Sequence, residues 1–377
     1  MSKNVKILFA ADIHLGIVPE KAIIDEETHF STFKKIVGLA EDHDILLIAG
    51  DLFDSPRISK DLIDNISQEF KNLTSKGVDV IFTPGPGDIN PNGVIPDHIY
   101  SLNCTTVFAN PVYSPPHIFT KEDQKVYIYG LPSSGGSDIS KIKKESESGF
   151  HIGLFHMDFN PRNKEQDSPV YALQKDDIKS LDLDFYALGH SHSFRMFKVN
   201  GKIIGAFPGT PESLSTLECG DRYVISMCIS DNEIEQIKRL SVNNINVIKE
   251  EVNCSNESNP EAIYDILRLK KSKKNYLHIS MNGERSFAFE QKIFSNYIND
   301  FYSLIIDDNS VVTLDSLIDE FRNENSLRGL FFNKLEEKLK TESFKKDEIT
   351  ILNNSMDRIR KDGFISLEDW LCTTSQS

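Results

Sequence analysis

At 377 residues, 39% hydrophobic and 26% charged, the chain has room for two domains or one large domain with an appendage. A net charge of −15 argues against a general polyanion-binding surface, so any DNA contact must come from a local basic patch, from bound metal or from a partner chain. Five scattered cysteines without CxxC spacing exclude a disulfide framework or zinc knuckle and point to a reducing cytoplasm; the sequence has no signal-peptide pattern and no apolar run of bilayer length, so no membrane partner is expected.

Over the first 210 residues short apolar runs alternate with amphipathic segments. The runs at 5–11, 44–50, 78–84, 125–131, 150–156 and 184–190 read as buried strands. Between the first three, Phe30, Phe33, Ile36, Val37 and Ala40 recur at helical spacing, as do Ile58, Leu62, Ile63, Ile66, Phe70 and Leu73. This alternation predicts an α/β fold with helices packed on a sheet. From about Lys202 the segments "KIIGAFPGT", "RYVISMCIS" and "EIEQIKRLSV" read as successive strands that complete a second sheet. A small α+β unit follows: a helix near 261–271, a strand "YLHISMNG" and a helix near 287–302. The tail from Ser326 reads as helical, with one stripe of Leu327, Leu330, Phe331, Leu335 and Leu339 and another of Ile349, Leu352, Met356 and Ile359.

Metal-ligand residue types stand at the ends of four predicted strands. "AADIHLG" supplies Asp12 and His14, "LIAGDLFD" Asp51, "IGLFHMD" His156, and "YALGHSHSF" His190 and His192. Sites in open α/β sheets gather outside the carboxyl ends of strands, so these distant residues are expected to converge. In an extended segment residues i and i+2 point the same way, which would aim Asp12 with His14, and His190 with His192, at one site. Carboxylate and imidazole ligands without thiolate suit Mn, Fe or Zn, and Asp51 is the expected bridge of a two-metal phosphodiesterase centre. The other histidines (His29, His43, His98, His117, His151, His278) match no ligand pattern and are read as surface or core residues.

The motifs "DIHLG", "GDLFD", "FHMD", "GHSH" and "PGTPES" resemble those of the calcineurin-like metallophosphoesterases. Within that superfamily the chain is most similar to the SbcD-type nucleases of double-strand-break repair and to their YhaO-like relatives. The motif resemblance covers about residues 6–213. It implies a two-layer-sheet metallophosphoesterase sandwich flanked by helices (1–245), a small α+β capping domain (246–312) and a helical C-terminal, ATPase-binding segment (313–377). It also implies two divalent metals, Mn2+ by preference. One would be held by Asp12, His14, Asp51 and His192, the other by Asp51, His156, His190 and an Asn.

That Asn belongs to a G-N-H-D/E motif whose His assists the leaving group. Aligned on "IFTPGPGDIN", Gly85 and Asp88 keep their positions, but Pro86 stands for the Asn and Gly87 for the His. Neither offers a side-chain ligand atom. Three explanations stay open: an active enzyme in which Asp88, Asn90 or water fills the gap, a degenerate subunit that keeps the fold, or a changed sequence. The expectation adopted is retained metal binding with reduced or altered activity, with Asp51 central and Asp88 a substitute catalytic group.

The resemblance further implies DNA as substrate, an SMC-like SbcC-type ATPase as partner, a homodimer through the helices at 30–40 and 58–73, and a cytoplasmic, nucleoid-associated location. The alternatives are a non-catalytic structural or DNA-end-binding subunit, and a phosphoesterase acting on a small phosphodiester. The lysine run Lys270, Lys271, Lys273 and Lys274 reads as a solvated helix end.

Overall fold

The computed structural model describes residues 4–18, 22–112, 114–134, 137–160, 172–199, 201–287, 292–341, 348 and 351. It divides into two compact units, Met1–Asn246 and Val247–Ser377.

The first unit runs β1 (Val5–Ala10), α1 (Glu26–Ala40), β2 (Ile45–Ala49), α2 (Lys60–Ser75), β3 (Asp79–Thr83), α3 (Asp97–Tyr100), β4 (Thr106–Val107), β5 (His117–Lys121), β6 (Gln124–Leu131) and β7 (Phe150–His156). It continues through β8 (Asp158–Asn160), β9 (Ala172–Gln174), α4 (Lys175–Leu181), β10 (Phe185–Gly189), β11 (Arg195–Val199), β12 (Lys202–Phe207), β13 (Tyr223–Ser230) and β14 (Glu233–Ser241). One sheet has the order β14-β13-β1-β2-β3-β4 and the other β11-β12-β10-β7-β6-β5. In the first, β1 to β4 are parallel and the β13–β14 hairpin joins β1 antiparallel. In the second, β12, β10, β7 and β6 are parallel between antiparallel edge strands.

The period-2 alternation of the strands builds the layers. Val5, Ile7 and Phe9 of β1 face the second sheet, where they meet Ile128, Ile152, Leu154 and Phe185. Leu8 and Ala10 face the other way, onto Phe33, Ile36 and Val37 of α1 and Ile66 and Phe70 of α2. Both helices start on a side-chain cap: Asp25 accepts from Thr28 N, and Ser59 from Leu62 N. The outer face of the second sheet (Tyr127, Tyr129, Phe155, Tyr186) is covered by Leu173, Leu181 and Leu183. This is the mixed α/β sandwich that the sequence predicts. The last strands are distributed differently: β12 joins the second sheet, whereas β13 and β14 extend the first beyond β1.

In the second unit β15 (Asn246–Asn253), β16 (Ser272–Asn282) and β18 (Phe301–Asp308) form a sheet, and the short β17 (Glu284–Arg285) and β19 (Val311–Val312) pair beside it. Helix α5 (Glu261–Leu269) buries Ile263 and Leu267 against Leu277, Ile279 and Met281. The long helix expected at 287–302 is replaced by a four-residue α6 (Lys292–Ser295) and by β18, which starts at Phe301. Helices α7 (Leu314–Phe321) and α8 (Leu327–Thr341) pack through Leu317, Phe321 and Phe332. The inward face of α8 is Phe332, Leu335 and Leu339; Leu330 and Phe331 of the expected stripe are exposed. The second stripe lies outside the described residues. Among the described residues, no helix is long and apolar enough to cross a membrane.

Candidate metal centre

Parallel strands from both sheets deliver their carboxyl ends to one place. Asp12 and His14 follow β1, Asp51 follows β2, His156 closes β7, and His190 and His192 follow β10. The sheets approach closely here because two glycines permit it. A Cβ on Gly189 would stand 1.8 Å from the Ala49 carbonyl, and one on Gly50 2.3 Å from His156 Nδ1. Asp12, His14, Asp51 and His190 all have left-handed backbone, with φ of 52°, 53°, 49° and 95°. Non-glycine residues avoid this region at a cost of about 1–3 kcal/mol each, and such outliers concentrate where the side-chain direction matters. The surroundings hold the turn in place: Asp12 N donates to Gly50 O at 3.1 Å and His14 N to Asp51 O at 2.9 Å. From behind, the buried His29 donates Nε2–H to Ile13 O at 2.6 Å. Asp12 and His14 are therefore aimed by a turn rather than by an extended pair.

Two groups of side chains bring ligand atoms within 4.8 Å of one another: Asp12, His14 and His192, and Asp12, Asp51 and His156. Asp12 is common to both. Nε2 of His14 lies 3.3 Å from Nε2 of His192 and 3.8 Å from Asp51 Oδ2. Asp51 Oδ2 is also 3.4 Å from His156 Nε2. His190 belongs to neither group; its backbone N–H donates to both Asp12 oxygens, at 2.8 and 3.1 Å, and its ring packs edge-on against His156.

The donor set fits a divalent cation. His156 donates Nδ1–H to Ala49 O at 3.0 Å, which leaves the buried Nε2 as a lone pair with no hydrogen-bond partner. A buried ring nitrogen left without a partner requires an explanation, and a metal supplies one. Burial raises the Asp12 carboxyl pKa, and neighbouring Asp51 adds to the effect while His156 opposes it. Burial opposes protonation of His14, yet the Asp54, Asp51 and Asp12 carboxylates raise it to about 8. Burial and the neighbouring His156 hold His190 low. Without a cation the cluster crowds carboxylates together in a desolvated space, and a cation offsets that cost. Carboxylate oxygen and imidazole nitrogen are donors for Mn, Fe or Zn.

The loop after β3 is a 3-10 turn over Pro86–Asp88. Asp88 is fully buried and holds this loop to the Asp51 turn: Oδ1 accepts from Phe53 N at 2.8 Å, and Oδ2 from Gly85 N at 2.8 Å and Leu52 N at 3.4 Å. Burial and the nearby Asp51 push its carboxyl up to about 8. Gly87 N–H donates to Asp51 Oδ1 at 2.7 Å, leaving Oδ2 toward the histidines. A Cβ on Gly87 would stand 2.2 Å from Phe53 O. Beside the loop lies an open cavity of about 390 Å³ lined by Pro86, Asn90, Asn92, Ser133 and Ser134 among others.

Several contributors were not legible in the sequence. Asp54 Oδ1 lies 3.3 Å from His14 Nδ1. Its place in "GDLFD" was the available signal. Glu218 Oε1 lies 2.7 Å from His192 Nδ1, a contact across 26 residues that no local pattern announces. Within the lysine run, Lys270 pairs with Glu250 and Lys271 with Asp300.

The calcineurin-like phosphoesterase family profile matches residues 5–194. The chain is 25% identical over 248 residues to the uncharacterized metallophosphoesterase YhaO of Bacillus subtilis (strain 168), covering 62% of this chain and 60% of that protein. It is 25% identical to the DNA double-strand break repair protein Mre11 of Methanopyrus kandleri, over 57% of this chain and 51% of the relative. The Mre11 of Sulfurisphaera tokodaii is also 25% identical, over 78% and 81%. The chain thus spans 60% and 51% of the length of the first two relatives. With a profile match across half its length and the α/β sandwich to carry it, this chain belongs to the calcineurin-like metallophosphoesterases, a family defined by metal-dependent phosphoester hydrolysis.

Proposed function

We propose that this protein is a metal-dependent DNA nuclease subunit of an SbcCD-like end-processing complex, with reduced or altered activity. The observation that carries the reading is the convergence of Asp12, His14, Asp51, His156 and His192 at the strand ends. The extended similarity to the Sulfurisphaera Mre11, a DNA double-strand break repair protein, supports DNA as the substrate. Two divalent ions, Mn2+ by preference, would lower the pKa of a water and neutralise the phosphate. The chain's own residues hold the donors ready: Ala49 O fixes the His156 tautomer, and Gly87 N–H orients Asp51. Asp12, His14, Asp51 and His192 would hold one ion, and Asp51, His156 and His190 the other. With glycine at 87 the loop has no imidazole to protonate the leaving oxygen, and Asp88 is buried with both oxygens accepting backbone N–H groups, so that proton comes from solvent.

On this reading the second unit includes the family's capping domain, α7 and α8 serve an SMC-like SbcC-type ATPase, and α1 and α2 meet in a homodimer. A second reading, a non-catalytic end-binding scaffold, is favoured by Pro86 and Gly87. The two part on activity toward linear duplex DNA with Mn2+, assayed beside bis-p-nitrophenyl phosphate. Cleavage of DNA that Asp51→Asn abolishes is expected. Hydrolysis of the small ester alone would point to a small phosphodiester substrate, and activity on neither would favour the scaffold.

A further inference from the structure

We propose that Glu218 is a positioning residue for the metal centre: it fixes the tautomer and direction of His192 and so selects the Asp12–His14–His192 group as the tighter of the two metal sites. The inference rests on the metal-centre reading above. Glu218 Oε1 accepts Nδ1–H of His192 at 2.7 Å, which leaves Nε2 as the lone-pair nitrogen facing Nε2 of His14. The carboxylate is itself held. Its Oε2 accepts from Leu214 N at 2.6 Å, Ser213 Oγ donates to Glu218 O at 2.7 Å, and Glu218 N donates to Ser215 O at 3.1 Å. The main chain of His192 is held independently: its carbonyl accepts from Arg222 Nη2 and, at 3.3 Å, from Thr210 N.

The two groups differ in what stands behind their imidazoles. His192 is backed by the hydrogen-bonded carboxylate of Glu218, and the Asp54 carboxylate stands 3.3 Å from His14 Nδ1. His156 is backed by the neutral Ala49 carbonyl. A carboxylate partner makes the opposite ring nitrogen a stronger donor than a carbonyl does, so the first group should bind its cation more tightly. Because Arg222 and Thr210 secure the His192 backbone, removing Glu218 frees the ring without freeing the loop.

The test has two arms on the full chain, with Glu218→Ala and Glu218→Gln. In metal-free protein, nitrogen-15 NMR of the imidazoles at a pH where the rings are neutral should report His192 as the Nδ1–H form in the wild type. In Glu218→Ala it should become a mixture of tautomers, while His156 stays unchanged as an internal reference. Glu218→Gln, which keeps an oxygen acceptor, should retain much of the wild-type form, and it stands in if the alanine variant fails to fold. Calorimetric titration with Mn2+ should give affinity at the tighter site weakened about 10–100-fold in Glu218→Ala. An unchanged His192 tautomer, or unchanged tight-site affinity, would overturn the proposal. A tautomer change in Glu218→Ala alongside a wild-type chain that binds no Mn2+ would overturn the metal reading and the site selection together, whereas an unchanged tautomer in a chain that binds Mn2+ would overturn the proposal alone, so the two failures are distinguishable.

Discussion

Gly87 stands where the resemblance places a histidine, and the space around it sets what can be introduced there. Its N–H holds Asp51, and the missing Cβ is the room that Phe53 O occupies. Gly87→Ala should therefore destabilise the fold by about 1–3 kcal/mol, the usual penalty of overpacking, as read by urea denaturation. The same crowding means that a histidine at 87 cannot simply be grafted in. Pro86 is exposed, so Pro86→Asn should cost far less. Equal stability of Gly87→Ala and wild type would contradict this picture of the loop. The substitutions themselves were legible from the aligned motif; the packing that makes them hard to reverse was not, because it depends on a carbonyl 34 positions earlier.

His29 gives a pH signature at the same scale. Burial, only partly opposed by its bond to Ile13 O, lowers its pKa to about 4. A ring that stays neutral in the fold but protonates in the unfolded chain contributes stability above about pH 6.5, lost as pH falls toward 4. The loss by pH 4 should approach about 3 kcal/mol. In His29→Gln, which can still donate to Ile13 O, that part of the acid sensitivity should vanish in urea denaturation series between pH 7 and 4. An unaltered pH dependence would remove His29 from the account. The sequence marked this histidine only as ordinary, since nothing in "EETHFSTF" tells that its ring reaches the turn behind Asp12.

Among the elements, the central strands were the most legible. "ILLIA" and "FHIGLFH" are buried along their whole length, as expected of parallel strands covered on both faces. The β13–β14 hairpin was recognised as strands but assigned to the wrong sheet, because alternation along a hairpin does not say which edge it joins. Strand β18 was hidden because Phe294, Tyr297 and Phe301 mimic helical spacing up to the point where the strand begins. In α8 the expected Leu335 and Leu339 do face inward, but Phe332 takes the inward place expected of Phe331. Phe332 is 1% exposed and stacks on Phe321 with ring centroids 5.1 Å apart, whereas Phe331 is 43% exposed. Phe332→Ala should cost about 3–5 kcal/mol in the second unit's unfolding, and Phe331→Ala under about 0.5 kcal/mol. Comparable losses from the two, followed by thermal denaturation, would contradict the packing of α7 on α8.

At the scale of the whole molecule, an acidic chain with a net charge of −15 gathers carboxylates and imidazoles from residues 12 to 192 into one cluster, buried at Asp12, Asp51 and His156 and half-buried at His192. Most of those ligands were readable in advance because parallel strands end on the same side of their sheets. The carboxylates behind them, Asp54 3.3 Å from His14 and Glu218 hydrogen-bonded to His192, emerge only when the loops close. Whether the cluster works as a metal centre despite Pro86 and Gly87 is decided most directly by metal analysis of the purified full chain loaded with Mn2+ and freed of excess. About two Mn2+ per chain, with the second lost first on dialysis, is the expected result. A chain that retains none, while its Asp12→Asn variant behaves identically, would contradict the central claim.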